Sequence, residues 1–280
     1  MKHITGTTKV FGLIGGDTSY SLSPTLHRAM LEYTGYNGVY VPFPVRNQLT
    51  LEAVLEACRG GAIGGLNITV PWKEKAAGLV DNLDRSASRA AAVNTVVHRQ
   101  NGTWGYNTDG EGMCRSLIEE SGAVLEGQRI VILGAGGAAR GIIPALLQHR
   151  VKNIEVFNRT PERAHEVVDS MEDQRLHVAA ALPDLTDAMV INSTSAGLKS
   201  DRTTLFSQDD IAPARYFYDL VYVPSRTAHM ELAWKANVPC CNGLGMLIWQ
   251  AVLAFEIITG KKCPVNVARS AVGGNLFDEE

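Results

Sequence analysis

The residues best suited to chemistry by type and spacing begin with Gly134, Gly136 and Ala139, in the run Leu133-Gly134-Ala135-Gly136-Gly137-Ala138-Ala139-Arg140-Gly141. Apolar residues lead into the glycines and a helix-capable run, 142–148, follows. This is the G-x-G-x-x-G/A pattern of a dinucleotide-binding turn. Gly134 permits a tight exit from a strand, Gly136 lets the backbone approach a pyrophosphate with no Cβ in the way, and Ala139 lets the helix pack close to the strand. The helix N-terminus then presents free N–H groups and a partial positive charge to phosphate. The alternative is a plain glycine-rich turn.

The next strand decides which dinucleotide. Residues 153–157 read as that strand and close a β-α-β unit over roughly 129–157. An NAD-binding unit carries an Asp or Glu about 20 residues past the glycines to hold the ribose 2′-hydroxyl. Here the strand runs into Asn158-Arg159-Thr160, with Arg163 one helical turn on and no carboxylate at the tip. A guanidinium can lie on an adenine face or fork onto a phosphate. That chemistry suits a 2′-phosphate, so the predicted cofactor is NADP(H); a solvated arginine pair is the plainer alternative.

A second group of polar residues lies earlier in the chain. Ser23 is a good N-cap and Pro24 a good first helical residue, so the turn 15–18 delivers Ser21 and Ser23 to a helix N-terminus, where a small anion such as a carboxylate is favoured, or where Ser23 merely caps. Leu66, Ile68 and Val70 alternate with Asn67 and Thr69, so a strand over 65–70 puts the two polar side chains on one face. Pro71 is expected to start a helix with Lys73 in its first turn, a place mildly unfavourable for a cation. That conflict suggests a job for the ammonium, although an exposed Lys73 needs none. Asn101-Gly102 reads as a two-residue hairpin turn, and a bulge-free register then sets Asn94 across from Asp109, just before a helix over 110–121. The run 192–197, Asn-Ser-Thr-Ser-Ala-Gly, follows an apolar strand and suits a surface for the nicotinamide half of a cofactor. Gln250 is a polar position on a long apolar helix, 246–259, entered through Gly243 and Gly245.

The elements needed to position these residues are strands alternating with helices, the mark of α/β architecture. Further strands are expected at 9–15, 39–44, 92–98, 103–107, 128–133, 189–192 and 217–221, with helices at 24–33, 47–58 and 84–91. The 280 residues suit one large or two medium domains. Lys plus Arg total 26 against 29 Asp plus Glu, a net charge of −3 that excludes bulk attraction to nucleic acid or an anionic membrane. No run of 18 apolar residues exists and residues 1–6 lack an apolar signal core. Five cysteines without C-x-x-C spacing read as reduced thiols of a cytoplasmic protein, with no metal site.

Together these residues resemble the shikimate dehydrogenase family over nearly the whole chain. The carriers are Ser21-Leu22-Ser23-Pro24, Asn67-Ile68-Thr69-Val70-Pro71-Trp72-Lys73, Ala92-Val93-Asn94-Thr95, Asn107-Thr108-Asp109-Gly110, the glycine run 134–141, Asn158-Arg159-Thr160, and Gly243-Leu244-Gly245-Met246-Leu247 with Gln250. Seven motifs in the right order are far more specific than one glycine loop. The resemblance implies an N-terminal α/β substrate domain, 1–108 completed by 244–280, and a Rossmann-type NADP domain, 109–243, with the site in the cleft between them and closure about Asp109 and Gly243. It implies reversible hydride transfer between NADP(H) and a shikimate/3-dehydroshikimate pair.

The resemblance also implies residue roles. Ser21, Ser23 and Tyr222 would hold the substrate carboxylate; Asn67, Thr69, Asn94, Asp109 and Gln250 the ring hydroxyls. Lys73 and Asp109 would be the catalytic pair. Gly134, Ala135, Gly136, Gly137, Ala138, Asn158, Arg159, Thr160, Arg163, Thr194, Gly243 and Met246 would line the cofactor. A free lysine, with a pKa of about 10.4, is an acid at neutral pH. Burial would lower that value and a close carboxylate raise it, so Lys73 could carry the proton or only supply charge to the oxyanion while water carries it.

Departures from the family's usual pattern fall near the substrate. Gly16-Asp17-Thr18 and Tyr20 stand where relatives often carry Asn-Pro-Ile and His, Asn242 replaces an Asp and Trp72 a Phe. A quinate/shikimate or aminoshikimate dehydrogenase of broader specificity is therefore the second expectation, and a non-catalytic NADP-binding regulator a third. The expected partner is a small-molecule substrate, on a monomer or homodimer with no nucleic-acid or membrane partner.

Overall fold

The computed structural model describes residues 4–198 and 201–273; the outer limits of the expected first domain, 1–3 and 274–280, lie outside them. The chain forms two compact units. Unit 1 runs to Thr108 and resumes at Ile248; unit 2 is Asp109–Leu247.

Unit 1 contains β1 (Lys9–Gly15), α1 (Ser23–Tyr33), β2 (Gly38–Pro44), α2 (Gln48–Arg59), β3 (Gly65–Ile68), α3 (Lys73–Ala77), β4 (Asn82–Leu83), α4 (Arg85–Ala90), β5 (Thr95–Arg99) and β6 (Gly102–Tyr106). Its sheet runs β2-β1-β3-β5-β6-β4. The pairs of β1 with β2 and β3 are parallel and the β5–β6 hairpin is antiparallel. Apolar alternation buries Ile14, Leu66, Ile68 and Val96 against Leu51 and Leu55 of α2 and the indole of Trp72. Asn47 starts α2 by accepting a 2.9 Å bond from the Thr50 N–H.

Unit 2 contains α5 (Asp109–Ser121), β7 (Arg129–Leu133), α6 (Gly137–Gln148), β8 (Asn153–Phe157), α7 (Pro161–Asp169), β9 (Leu176–Ala179), β10 (Met189–Asn192), α8 (Gln208–Ile211), β11 (Tyr216–Asp219), α9 (Ala228–Lys235) and β12 (Cys240–Cys241). Then α10 (Leu244–Thr259) carries the chain back into unit 1, which ends with α11 (Val265–Gly273). The second sheet is wholly parallel, in the order β12-β11-β10-β7-β8-β9. Read from β9, that is the 3-2-1-4-5-6 order of the Rossmann fold. Both faces are covered. Ile130, Ile132, Met189, Ile191 and Tyr218 enter one core, and Val131, Leu133, Val190 and Phe217 enter the other.

Each sheet reverses its winding once, between β1 and β3 in unit 1 and between β7 and β10 in unit 2. The loops leaving those strands are where an open α/β sheet binds ligands. Among the described residues no helix is long and apolar enough to cross a membrane. The five cysteines are free thiols.

Three local expectations are corrected. Pro71 does not open a helix: its bond to Val70 is cis, and α3 begins at Lys73 with Trp72 in the cap position. Ser23 is not the N-cap of α1: Leu22 occupies that position, and the Ser21 hydroxyl accepts from the Ser23 N–H at 3.2 Å. The hairpin register also differs, since Arg99 pairs with Gly102 and Thr95 with Tyr106. Gly102 alone takes a positive φ, +104°, whereas Asn101 does not. The pair is thus not the centre of a mirror-image turn, and Gly102 opens β6 instead. A Cβ there would lie 2.6 Å from Asp81 Oδ2, the carboxylate that accepts from both the Thr103 N–H and hydroxyl.

Candidate active site

At the switch point of unit 1, the loops after β1 and β3 are laced together by Thr69 N–H to Ile14 C=O at 2.8 Å and Gly16 N–H to Val70 C=O at 3.1 Å. A Cβ at Gly15 would meet the Thr69 methyl at 2.7 Å, so the close approach requires glycine there. The lacing brings Ser21, Ser23, Thr69 and Lys73 to the carboxyl ends of the two strands. Ser23 is buried; Ser21, Thr69 and Lys73 are partly buried. The Lys73 carbonyl also accepts from the Val93 N–H at 2.9 Å, fixing the first residue of α3 to the segment before β5. Asp17 accepts from the Ser19 N–H and hydroxyl, which hold its carboxyl below the ordinary range and shape the turn before Tyr20.

Behind these loops a buried hydrogen-bonded relay crosses the unit. The Tyr40 hydroxyl donates to Asn67 Oδ1 at 2.9 Å. Asn67 Nδ2 donates to the Asn94 carbonyl at 3.3 Å and to Thr95 Oγ1 at 3.1 Å. Thr95 Oγ1 donates to Asn94 Oδ1 at 2.9 Å, Asn94 Nδ2 donates to Thr108 Oγ1 at 2.9 Å, and Thr108 Oγ1 donates to the Gln250 carbonyl at 3.1 Å. Both N–H groups of the Asn67 amide are therefore committed, leaving it one acceptor lone pair. In this register Asn94 Oδ1 also accepts from the Thr108 N–H at 2.9 Å, which joins its side chain to the residue that precedes Asp109. Tyr40 stacks on His27 with centroids 4.2 Å apart and planes 9° from parallel. Burial drives His27 down to about 3 and the Tyr40 phenol upward. Sequence reasoning missed Tyr40, Thr95 and Thr108, because nothing in the spacing of a β-strand tyrosine or of threonines beside asparagines marks them.

At the switch point of unit 2 the recognition surface is mostly backbone. Gly134 sits at φ +108°, and a Cβ there would lie 2.7 Å from the Thr194 methyl and 2.8 Å from Ser193 Oγ. Gly136 caps α6 with open space where its Cβ would be. Residues 136–138 are exposed at the helix N-terminus, while Ala135 and Ala139 are buried. Asn158 accepts from the Ala135 N–H at 3.2 Å and donates to the Thr160 carbonyl at 2.8 Å, so its amide braces the glycine turn against the end of β8. Arg159, Thr160 and Arg163 are exposed at the start of α7.

The other residues singled out in unit 2 lie around its strand ends. Thr194 donates to Asn192 Oδ1 at 2.7 Å. Asp109 is the first residue of α5, where a carboxylate is favoured, and a Cβ at Gly141 would come 4.0 Å from its Oδ2. Tyr222 follows β11 and is partly buried. Gly243 donates its N–H to the Val221 carbonyl at 3.2 Å, and a Cβ there would run into the Leu220 carbonyl. Met246 packs on the core beneath β7 and β10. The structure thus gathers Ser21, Ser23, Asn67, Thr69, Lys73, Asn94 and Gln250 in unit 1, and Asp109, Tyr222 and the cofactor candidates in unit 2.

Comparison with known proteins identifies the family. A family model described as the shikimate dehydrogenase substrate binding domain matches residues 13–96, one described as shikimate / quinate 5-dehydrogenase matches 116–210, and one described as the shikimate 5′-dehydrogenase C-terminal domain matches 243–272. A shikimate dehydrogenase (NADP(+)) of Methanopyrus kandleri is 38% identical over 276 residues, covering 95% of each chain. A crystal structure of a shikimate dehydrogenase in complex with NADP+ superposes with a TM-score of 0.88 at 33% identity, covering 99% of this chain and 98% of that one. A shikimate 5-dehydrogenase from Thermus thermophilus in complex with NADP(H) and shikimate gives a TM-score of 0.85 at 31% identity, covering 95% and 99%.

Proposed function

Because the chain belongs to the shikimate dehydrogenase family, we propose that it catalyses the reversible NADP(H)-dependent interconversion of shikimate and 3-dehydroshikimate, within aromatic amino-acid and chorismate biosynthesis. Unit 1 is the substrate-binding domain and unit 2 the cofactor domain. One observation carries the reading: the two switch points hold complementary chemistry. In unit 1 hydroxyl, amide and ammonium side chains converge, as a polyol acid requires. In unit 2 a Cβ-free turn and a helix N-terminus face outward, with arginines and no carboxylate at the next strand's tip, as a dinucleotide bearing a 2′-phosphate requires.

In this mechanism Ser21 and Ser23, with Tyr222, bind the substrate carboxylate, and Thr69, Asn94, Asp109 and Gln250 orient the ring hydroxyls. Asn67 takes part as an acceptor through its remaining lone pair. Gly134 to Ala138, Asn158, Thr194, Gly243 and Met246 shape the cofactor surface, and Arg159, Thr160 and Arg163 select the 2′-phosphate. Bound NADP+ supplies the hydride acceptor. Lys73 and Asp109 act at the reacting oxygen, where positive charge stabilises the developing alkoxide. Holding the reacting carbon in place lowers the barrier further. We place the reaction in the cytoplasm, on a monomer or homodimer without nucleic-acid or membrane partners.

The test is absorbance of reduced nicotinamide with purified protein and four mixtures, pairing shikimate or quinate with NADP+ or NAD+. Turnover with shikimate and NADP+ alone is expected. Turnover with quinate would move the protein to the broader-specificity branch and implicate Asp17 and Tyr20, the latter 68% exposed beside Ser21. Silence in all four with NADP+ still bound would overturn catalysis in favour of a regulator.

A further inference from the structure

Resting on that reading, we propose that Asn192, Asp219 and Thr227 are positioning residues, a buried clamp that holds the loop 193–197 and Tyr222 at a fixed spacing for hydride transfer. Asn192 and Asp219 end the adjacent parallel strands β10 and β11, face each other in register, and are fully buried. Asp219 Oδ1 accepts from Asn192 Nδ2 at 2.9 Å and from the Val221 N–H at 3.1 Å, and Oδ2 accepts from the Thr227 hydroxyl at 2.7 Å. Asn192 Oδ1 in turn accepts from the Thr194 N–H at 3.1 Å and hydroxyl at 2.7 Å, while its Nδ2 also reaches the Ala196 carbonyl at 3.3 Å. Two side chains therefore tie together the turn after β10, the residue preceding Tyr222, and the start of α9.

The chemistry of position 219 argues against simple packing. A buried carboxylate facing only neutral donors is expensive. Well-packed apolar side chains could close the same corner at no such cost. Burial accordingly pushes the Asp219 carboxyl up, opposed by the bonds from Thr227, Val221 and Asn192. What the carboxylate provides is an acceptor-only group that collects donors from three separate segments. The buried His229 adds to this: its Nε2 accepts from the Leu205 N–H at 3.0 Å, so its proton is on Nδ1. That nitrogen has no hydrogen-bond partner among the described residues and lies 3.9 Å from Asp219 Oδ2. Its dipole faces the carboxylate without occupying an acceptor site.

The experiment compares Thr227→Val, which keeps the shape and loses the hydroxyl, with Thr227→Ser, which keeps the hydroxyl. Because Thr227 also caps α9 by accepting from the Met230 N–H, Asp219→Asn is the second variant. Steady-state kinetics with shikimate and NADP+ are read beside titrations with NADPH and with adenosine 2′,5′-bisphosphate, which lacks the nicotinamide. In Thr227→Val and Asp219→Asn, kcat should fall about 10–100-fold. Affinity for the bisphosphate should hold within about twofold, and Thr227→Ser should recover most of the rate. Equal losses of kcat and of both affinities, or a lower melting temperature with kcat intact, would reduce the clamp to a structural bond and overturn the proposal. If the wild type turns over nothing, the functional reading fails, yet the clamp is still decided. It predicts that NADPH affinity falls by about fivefold relative to the bisphosphate, and an unchanged ratio refutes it.

Discussion

The two switch points solve the same topological problem with different materials. In unit 2 the surface presented is backbone, shaped by missing side chains at Gly134 and Gly136 and by a helix N-terminus. In unit 1 it is side chains, each oriented by another: Tyr40 sets Asn67, Asn67 and Thr95 set Asn94, and Asn94 sets Thr108. A phosphate is satisfied by any convergent set of N–H donors. A ring bearing several hydroxyls must be matched donor to acceptor. Unit 2 should therefore be broken by adding volume and unit 1 by deleting functional groups.

The largest effect is expected at Lys73, whose ammonium has no backbone substitute. Lys73→Ala should lower kcat by about 10²–10⁴-fold with the affinity for NADP+ retained. A pH–rate profile checks the role: loss of one limb assigns Lys73 to proton transfer, whereas a uniform drop with the profile's shape preserved assigns it to charge stabilisation. Unchanged turnover would remove Lys73 from the mechanism.

Next comes the volume test in unit 2. Gly134→Ala places a Cβ at φ +108° and 2.7 Å from the Thr194 methyl. Backbone strain and overpacking each cost on the order of 1–3 kcal/mol. The melting temperature and the NADP+ affinity should fall together, while the same change at Gly136, where the space is open, should weaken the cofactor with little loss of stability. If Gly134→Ala binds NADP+ normally, the backbone account of unit 2 is wrong.

How much of each half was legible follows from the same contrast. The ends of β1, β8 and β10 were readable to the residue, because apolar runs bounded by glycine and asparagine leave little choice. The glycine turn was readable because its constraint is local. In unit 1 the residue types are legible, but the spacing centres the hairpin on Asn101-Gly102, whereas Arg99 pairs with Gly102 and the whole register moves with it. The short edge strands β9 and β12 left no periodic signal; in β12, Cys240 and Cys241 simply enter opposite cores. Tyr40 and Asp219 escaped because their partners Asn67 and Asn192 come from distant segments, which no spacing rule records.

Acid should act on both halves, with a smaller effect. His27 in unit 1 is held down to about 3 and His229 in unit 2 to about 4, both by burial. The unfolded chain binds these protons near pH 6.5 and the folded chain does not, so stability is complete above that value and is lost as the pH falls toward each folded value. By pH 4 the His27 contribution is on the order of 3 kcal/mol. Both units should therefore lose stability over the same window. His27→Phe, which keeps a ring against Tyr40, should move the acid-unfolding midpoint downward; a midpoint that stays put would show that carboxylates govern acid unfolding instead.

The smallest effect tests the relay at its far end. Tyr40→Phe keeps the stack on His27 and removes one hydrogen bond, worth about 1 kcal/mol. The Tyr40 hydroxyl donates into Asn67 Oδ1, so without it that oxygen has a second lone pair to offer, while Nδ2 still holds the amide to the Asn94 carbonyl and Thr95 Oγ1. The KM for shikimate should rise a few-fold, while the KM for NADP+, set in unit 2, should not move. A substrate analogue lacking one ring hydroxyl sharpens the result. If Asn67 accepts from that hydroxyl, Tyr40→Phe and the deletion should be less than additive, because both act through the same oxygen. Full additivity would mean that Asn67 braces the strand beneath the site without touching the ring, and that Thr69, Asn94, Asp109 and Gln250 read the hydroxyls without it.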